Sequence, residues 1–108
     1  LMKAVILAGG FGKRLGLADV PKPMVPVAGQ PLLEHQLALL RRYGIREVTL
    51  LTGFLSEKIQ SYFGDGSAFG MHVEYVREPQ PLGTAGAVKQ LEGHLTDRFL
   101  VLYGDVVL

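Results

Sequence analysis

The chain has 108 residues, 48% of them hydrophobic and 19% charged, enough apolar material for one compact core and too little for two domains. Eleven lysines and arginines against ten aspartates and glutamates give a formal net charge of +1, without the basic stripe of a nucleic-acid binder. Cysteine is absent, which excludes a disulfide framework and a thiolate metal site.

Residues 3–8 carry the continuous apolar run Ala4-Val5-Ile6-Leu7, which stops abruptly at glycines, the pattern of a strand buried on both faces. The run is too short to cross a bilayer and no signal-peptide cleavage pattern follows it, so a soluble cytoplasmic protein without a membrane partner is expected. Residues 9–27 form a long connection containing four glycines and three prolines; long ordered loops in small domains are usually functional. Pro31 suits the first turn of a helix running to about residue 43, with Leu33, Leu37 and Leu40 on one face and Gly44 as its stop. Arg41, Arg42 and Arg46 belong to its solvated end.

Residues 48–52 predict a second strand and residues 55–63 a short helix, with Leu55, Ile59 and Phe63 at four-residue spacing and Gly64-Asp65-Gly66 closing it. A third strand is predicted at 72–76, a proline-containing loop at 77–82, a third helix at about 84–91, and a fourth strand at 99–103 that ends in Gly104-Asp105. This β-α-β-α-β-α-β alternation predicts an α/β fold, a Rossmann-like mostly parallel sheet with helices on both faces. Ligands of such sheets bind beyond the carboxyl ends of the strands, where strand order reverses. The two ends with unusual chemistry are Gly9-Gly10 and Gly104-Asp105; with strands one and four as neighbours, Asp105 would face the glycine loop. Val106, Val107 and Leu108 are apolar with no polar tail after them, so the chain is expected to be the amino-terminal portion of a longer protein.

Glycines at 9, 10 and 12 permit backbone conformations closed to other residues and bring main-chain N–H groups against a ligand. Arg14 and Lys22 add fixed positive charge, and together these features suit a row of phosphates. A P-loop would need Gly, four residues, then Gly-Lys-Ser/Thr; Gly12-Lys13 is followed by Arg14 and preceded at the required distance by Leu7. A dinucleotide fingerprint starting at Gly10 would need glycine at 15, where Leu15 stands, and an acidic residue at the end of strand two, where Thr52-Gly53 stands. An oxidoreductase is disfavoured on that ground. His35, His72 and His94 lack ligand spacing, Met24 and Leu37 read as core, and Glu34 and Glu78 as solvated charge.

The pattern Leu7-Ala8-Gly9-Gly10-Phe11-Gly12-Lys13-Arg14-Leu15, followed by Pro21-Lys22-Pro23-Met24, resembles the sugar-1-phosphate nucleotidylyltransferase family. Glu78-Pro79-Gln80-Pro81-Leu82-Gly83-Thr84-Ala85-Gly86-Ala87 and Leu102-Tyr103-Gly104-Asp105 look like that family's base-binding loop and metal-binding turn. The resemblance covers nearly the whole chain and implies the nucleotide-binding part of a nucleotidyltransferase domain, cut short on its carboxy-terminal side. It implies as substrates a nucleoside triphosphate and a sugar 1-phosphate, Mg²⁺ as cofactor, and a homo-oligomer as one possible assembly. By resemblance, Leu7, Ala8 and Gly9 offer backbone contacts to base and ribose, and Gly10 and Gly12 join Gly9 at the triphosphate. Arg14 grips the β- and γ-phosphates, and Lys22 reaches the α-phosphate or the sugar phosphate. Gln80, Leu82, Gly83 and Thr84 contact the base, and Asp105 ligates the metal. Lys13 replaces the threonine or small polar residue common in the family and is counted with the nucleotide-binding residues without a role of its own. The Gly-Thr-Ala-Gly form leans towards guanosine transfer onto mannose or heptose phosphates, with uridylyl, cytidylyl and thymidylyl transfer as alternatives. A non-catalytic nucleotide-binding module is the rival from another class; such relatives typically lose Arg14, Lys22 or Asp105, and this chain keeps all three.

Overall fold

A computed structural model describes residues 3–9, 13–16, 18–77 and 99–103, with the backbone alone described for 13–15 and 99–103. Four parallel strands make the main sheet: β1 (Lys3–Ala8), β6 (Glu47–Thr52), β7 (His72–Arg77) and β8 (Phe99–Tyr103), in the order β7-β6-β1-β8. Successive strands step outward from β1 to β6 to β7, and the chain then returns to add β8 on the other side of β1. Strand order therefore reverses at β1, with Leu7 opposite Tyr103 in the β1–β8 register and Ala8 opposite Thr52 in the β1–β6 register. The predicted adjacency of strands one and four is present.

Helix α1 (Leu32–Arg42) connects β1 to β6 and α2 (Ser56–Phe63) connects β6 to β7. Both cover the same sheet face. Leu33, Leu37 and Leu40 of α1 and Ile59 and Phe63 of α2 share one buried cluster with Ala4, Ile6, Ala8, Val48, Leu50 and Val73. The period of two along a strand sends Val5 and Leu51 to the opposite face, where they form a second buried cluster bordered by Leu7 and Val76. The predicted helix at 84–91 lies outside the described residues.

Several boundaries differ from the sequence expectation. Pro31 precedes α1 rather than opening it; with extended backbone (ψ 143°) it forms strand β5 (Gln30–Pro31), paired with β4 (Pro26–Val27) across the Ala28-Gly29 turn. Leu55 stands outside α2 in the left-handed region (φ 53°), so the helix begins at buried Ser56. The carboxyl end of α1 closes as expected: Gly44 N–H donates to Arg41 O and Ile45 N–H to Leu40 O, the paired bonds of a Schellman motif. Exposed Arg41 and Arg42 oppose the negative end of the helix dipole. Arg41 Nη1 also donates to Phe69 O at 2.9 Å, and Arg46 Nη1 to Gly70 O at 3.2 Å.

The turn after α2 is set by local bonds. Ser67 N–H donates to Asp65 Oδ1 at 3.0 Å, and that bond holds the Asp65 carboxyl below the usual carboxylate range. Tyr75 donates its hydroxyl to Gly64 O at 2.6 Å; burial first, and the Asp65 charge second, push its phenol up. Exposed Tyr62 donates to Glu34 Oε1 at 2.7 Å, linking α2 to α1, and that bond raises its phenol as well. No described helix is long and apolar enough to cross a membrane.

Candidate functional site

The carboxyl end of β1 has no side chain to spare for a ligand. Ala8 is buried in the core, and Leu7 is partly buried against the second cluster, so what these residues offer is main chain. Gly9 is the first residue beyond the last β1–β6 pair, Ala8 with Thr52. Its counterpart at the end of β6 is Gly53, which sits so close that a Cβ built on it would lie 3.3 Å from Gly9 O and 3.5 Å from Gly9 Cα. Glycine at 53 is thus what allows the two strand ends to meet.

Beyond Gly9 the chain forms a small antiparallel hairpin, β2 (Lys13–Leu15) with β3 (Ala18–Val20), in which Arg14 pairs with Asp19. The sequence expectation treated residues 9–27 as one irregular connection; part of it is this hairpin, and part is the 3₁₀ turn Lys22–Met24. Lys13 and Arg14 therefore belong to a short ribbon with fixed backbone pairing. At the middle of β3, Lys58 Nζ, from α2, donates to Asp19 O at 2.6 Å.

Lys22 opens the 3₁₀ turn. Pro21 and Pro23 on either side are buried, Met24 N–H donates to Pro21 O at 2.8 Å, and Val25 N–H to Lys22 O at 3.1 Å. Buried prolines with φ fixed by their rings leave the Lys22 backbone little freedom. Further along, the His35 Nε2–Val27 O bond of 2.6 Å ties the β4–β5 hairpin to α1; His72 stays exposed, 3.4 Å from Glu74 Oε1.

The structure thus brings Leu7, Ala8 and Gly9 to the point where strand order reverses, with Lys13, Arg14 and Lys22 on the connection that leaves it. Gly10, Gly12, Gln80, Leu82, Gly83, Thr84 and Asp105 lie outside the described residues. Asp105 follows two positions after Tyr103, whose partner Leu7 ends the β1–β8 pairing. Among the described residues no three of His, Cys, Asp and Glu converge on a metal position.

A glycine loop at the switch point of a parallel sheet suits nucleotides in general, so the shared pattern of the whole chain decides the family. Residues 3–108 match the family model described as nucleotidyl transferase. The chain belongs to the nucleotidyl transferase family. It is 44% identical over 107 residues to mannose-1-phosphate guanylyltransferase of Mycobacterium tuberculosis, covering 96% of this chain and 30% of the relative. It is 41% identical over 106 residues to D-glycero-alpha-D-manno-heptose 1-phosphate guanylyltransferase of Campylobacter jejuni, covering 96% and 48%. Other relatives are uridylyltransferases. The crystal structure of HddC from Yersinia pseudotuberculosis complexed with GMP-PN superposes with a TM-score of 0.79 at 32% identity, over 97% of this chain and 48% of that one. The chain therefore spans half or less of the length of these nucleotidyl transferases. The resemblance drawn from the glycine loop and the Pro-Lys-Pro-Met segment holds.

Two residues that touch the glycine connection escape a reading of motifs. Gly53 had a recognisable signal, a glycine directly after a buried strand, which often marks close backbone approach. Lys58 had none, since its partner Asp19 is 39 positions away.

Proposed function

We propose that the full-length protein transfers a nucleoside monophosphate from a nucleoside triphosphate to a sugar 1-phosphate, giving a nucleotide-sugar and pyrophosphate. Guanosine transfer to mannose or heptose 1-phosphate is favoured, because relatives at 44% and 41% identity carry those names. Uridylyl transfer is the second reading, on the strength of the uridylyltransferases among the relatives. The observation that carries the proposal is the family match over residues 3–108, with Gly9 standing where strand order reverses.

In this reaction a phosphate oxygen of the sugar 1-phosphate forms a bond to the α-phosphorus, while the bond from that phosphorus to the bridging oxygen of the leaving pyrophosphate breaks. No covalent bond to the protein is required. The protein's work is in-line placement and neutralisation of charge on the phosphoryl oxygens. Main-chain groups of Leu7, Ala8 and Gly9 would hold base and ribose, and the amides of Gly9, Gly10 and Gly12 the phosphates. Arg14 would take the β- and γ-phosphates as pyrophosphate departs, and Lys22 the α-phosphate or the sugar phosphate. Gln80, Leu82, Gly83 and Thr84 would read the base.

One carboxylate completed by phosphate oxygens is a donor set that Mg²⁺ accepts readily, and Asp105, two positions beyond the β1–β8 pairing, is the residue proposed to hold it. Such an ion, when bound, neutralises phosphate charge. A cytoplasmic location is part of this reading, supported by the soluble substrates it names.

The test is pyrophosphate release by the full-length protein with each of the four common triphosphates and a panel of sugar 1-phosphates. Arg14→Ala should cut turnover by about 10²-fold or more and leave the melting temperature nearly unchanged. Equal activity in the two proteins would refute the role given to Arg14.

A further inference from the structure

The segment linking β6 to α2 touches the glycine connection at both of its ends. Before the loop, Gly53 lies against Gly9 with no room for a side chain without displacement. After it, Lys58 Nζ holds Asp19 O at 2.6 Å, and Asp19 pairs with Arg14 in the β2–β3 register. Between these two contacts the chain passes through Leu55 at φ 53°, a left-handed conformation that is strained for a non-glycine residue. That strained residue sets where the first turn of α2 begins; Lys58 N–H bonds back to Leu55 O at 3.0 Å. The same helix borders Met24, in the turn that Lys22 opens, along a groove shared by Met24, Glu57, Lys58, Ser61 and Tyr62.

We propose that Lys58 is a positioning residue for triphosphate binding: by holding Asp19 O it fixes the β2–β3 hairpin, and through the ladder the backbone of Arg14, relative to the carboxyl end of β1. The proposal rests on the nucleotidyl-transfer reading of the site. Lys58 touches no phosphate in this scheme. Its ammonium, on the exposed side of α2, donates to a main-chain carbonyl, a charge-assisted bond, and the helix that carries it is packed into the core. Ile59, the next residue, is fully buried, which holds this turn of α2 in place.

The experiment compares the full-length wild type with Lys58→Met, which keeps the aliphatic stem, and with Lys58→Arg, which restores a cationic donor. Hydrogen–deuterium exchange at the amides of residues 13–20 should be about threefold faster in Lys58→Met, the effect of losing one solvent-exposed bond to a charged group. kcat/KM for the nucleoside triphosphate should fall about threefold by the same measure, with KM for the sugar 1-phosphate unchanged and the melting temperature lowered by no more than a few degrees. Lys58→Arg should recover most of both. Unchanged exchange in Lys58→Met overturns the latch. Faster exchange with wild-type kcat/KM overturns its role in positioning while leaving the nucleotidyl-transfer reading intact. A wild type that releases no pyrophosphate with any triphosphate overturns that parent reading, and the exchange comparison still decides for or against the latch.

Discussion

Replacing Gly53 by alanine separates the geometry of the nucleotide loop from the stability of the fold. The new Cβ would meet Gly9 O at 3.3 Å, so the two strand ends must part by a few tenths of an ångström. Opening a contact that is only slightly short costs less than about 1 kcal/mol, at the low end of what overpacking does. Against it stands the smaller conformational freedom of alanine in the unfolded chain, worth about 0.4–1 kcal/mol in favour of the variant. These terms nearly cancel, and the melting temperature should move by no more than a few degrees. Catalysis has no such compensation. If a misplacement of about 1 Å costs roughly 10²-fold in rate, a displacement of about 0.3 Å costs about fourfold on the same logarithmic scale. Steady-state pyrophosphate release by full-length Gly53→Ala should therefore show a severalfold lower kcat/KM for the triphosphate. A wild-type value at unchanged stability would show that the Gly9–Gly53 approach does not set the loop.

Gly66→Ala should act in the opposite way, on stability. Gly66 has φ +84°, and a Cβ there would fall 2.6 Å from Val73 Cγ2 and 3.1 Å from Met71 O; a left-handed alanine with that overlap should cost about 2–5 kcal/mol, read as a lower urea midpoint. Stability should also fall at both pH extremes. Asp65 has a lowered folded pKa, so its contribution is present above the ordinary carboxylate range and lost as pH falls through the folded value. Tyr62 and Tyr75 have raised folded values, so theirs is present below about pH 10 and lost as pH rises through them. Melting curves across pH should show both losses, with Asp65→Asn flattening the acid limb and Tyr75→Phe the alkaline one.

The elements that could be read from the sequence are those whose side chains mostly enter one core. Ala4 to Leu7 announce β1 because both faces of that strand are buried, and the leucine spacing of α1 announces its helix because Leu33, Leu37 and Leu40 share a cluster. Leu55 fits the same spacing and misled by one residue: its left-handed backbone places it outside α2. The β2–β3 hairpin was illegible because three-residue strands are too short for periodicity to show. Alternation predicts the parallel sheet with its crossover helices but does not say which face each helix takes: α1 and α2 share one face, and the helix expected at 84–91 lies outside the described residues. The glycine loop, Arg14 and Lys22 stand out in the sequence as candidates, whereas Gly53 and Lys58 make their contacts only once the sheet has assembled.

That division has a physical cause. A connection rich in glycine loses more backbone freedom on ordering than any other, so part of its order has to come from contacts with other segments. Gly53 at Gly9 and Lys58 at Asp19 supply it from one segment whose own position is fixed by β6 on one side and by buried Ile59 and Phe63 on the other. Buried Pro21 and Pro23 close the far end. On the proposed function, a ligand at Gly9 would meet backbone already held by these contacts, so less of its binding energy would go into ordering the chain and more would remain for the transition state. Loosening either contact should therefore weaken turnover before it weakens the fold.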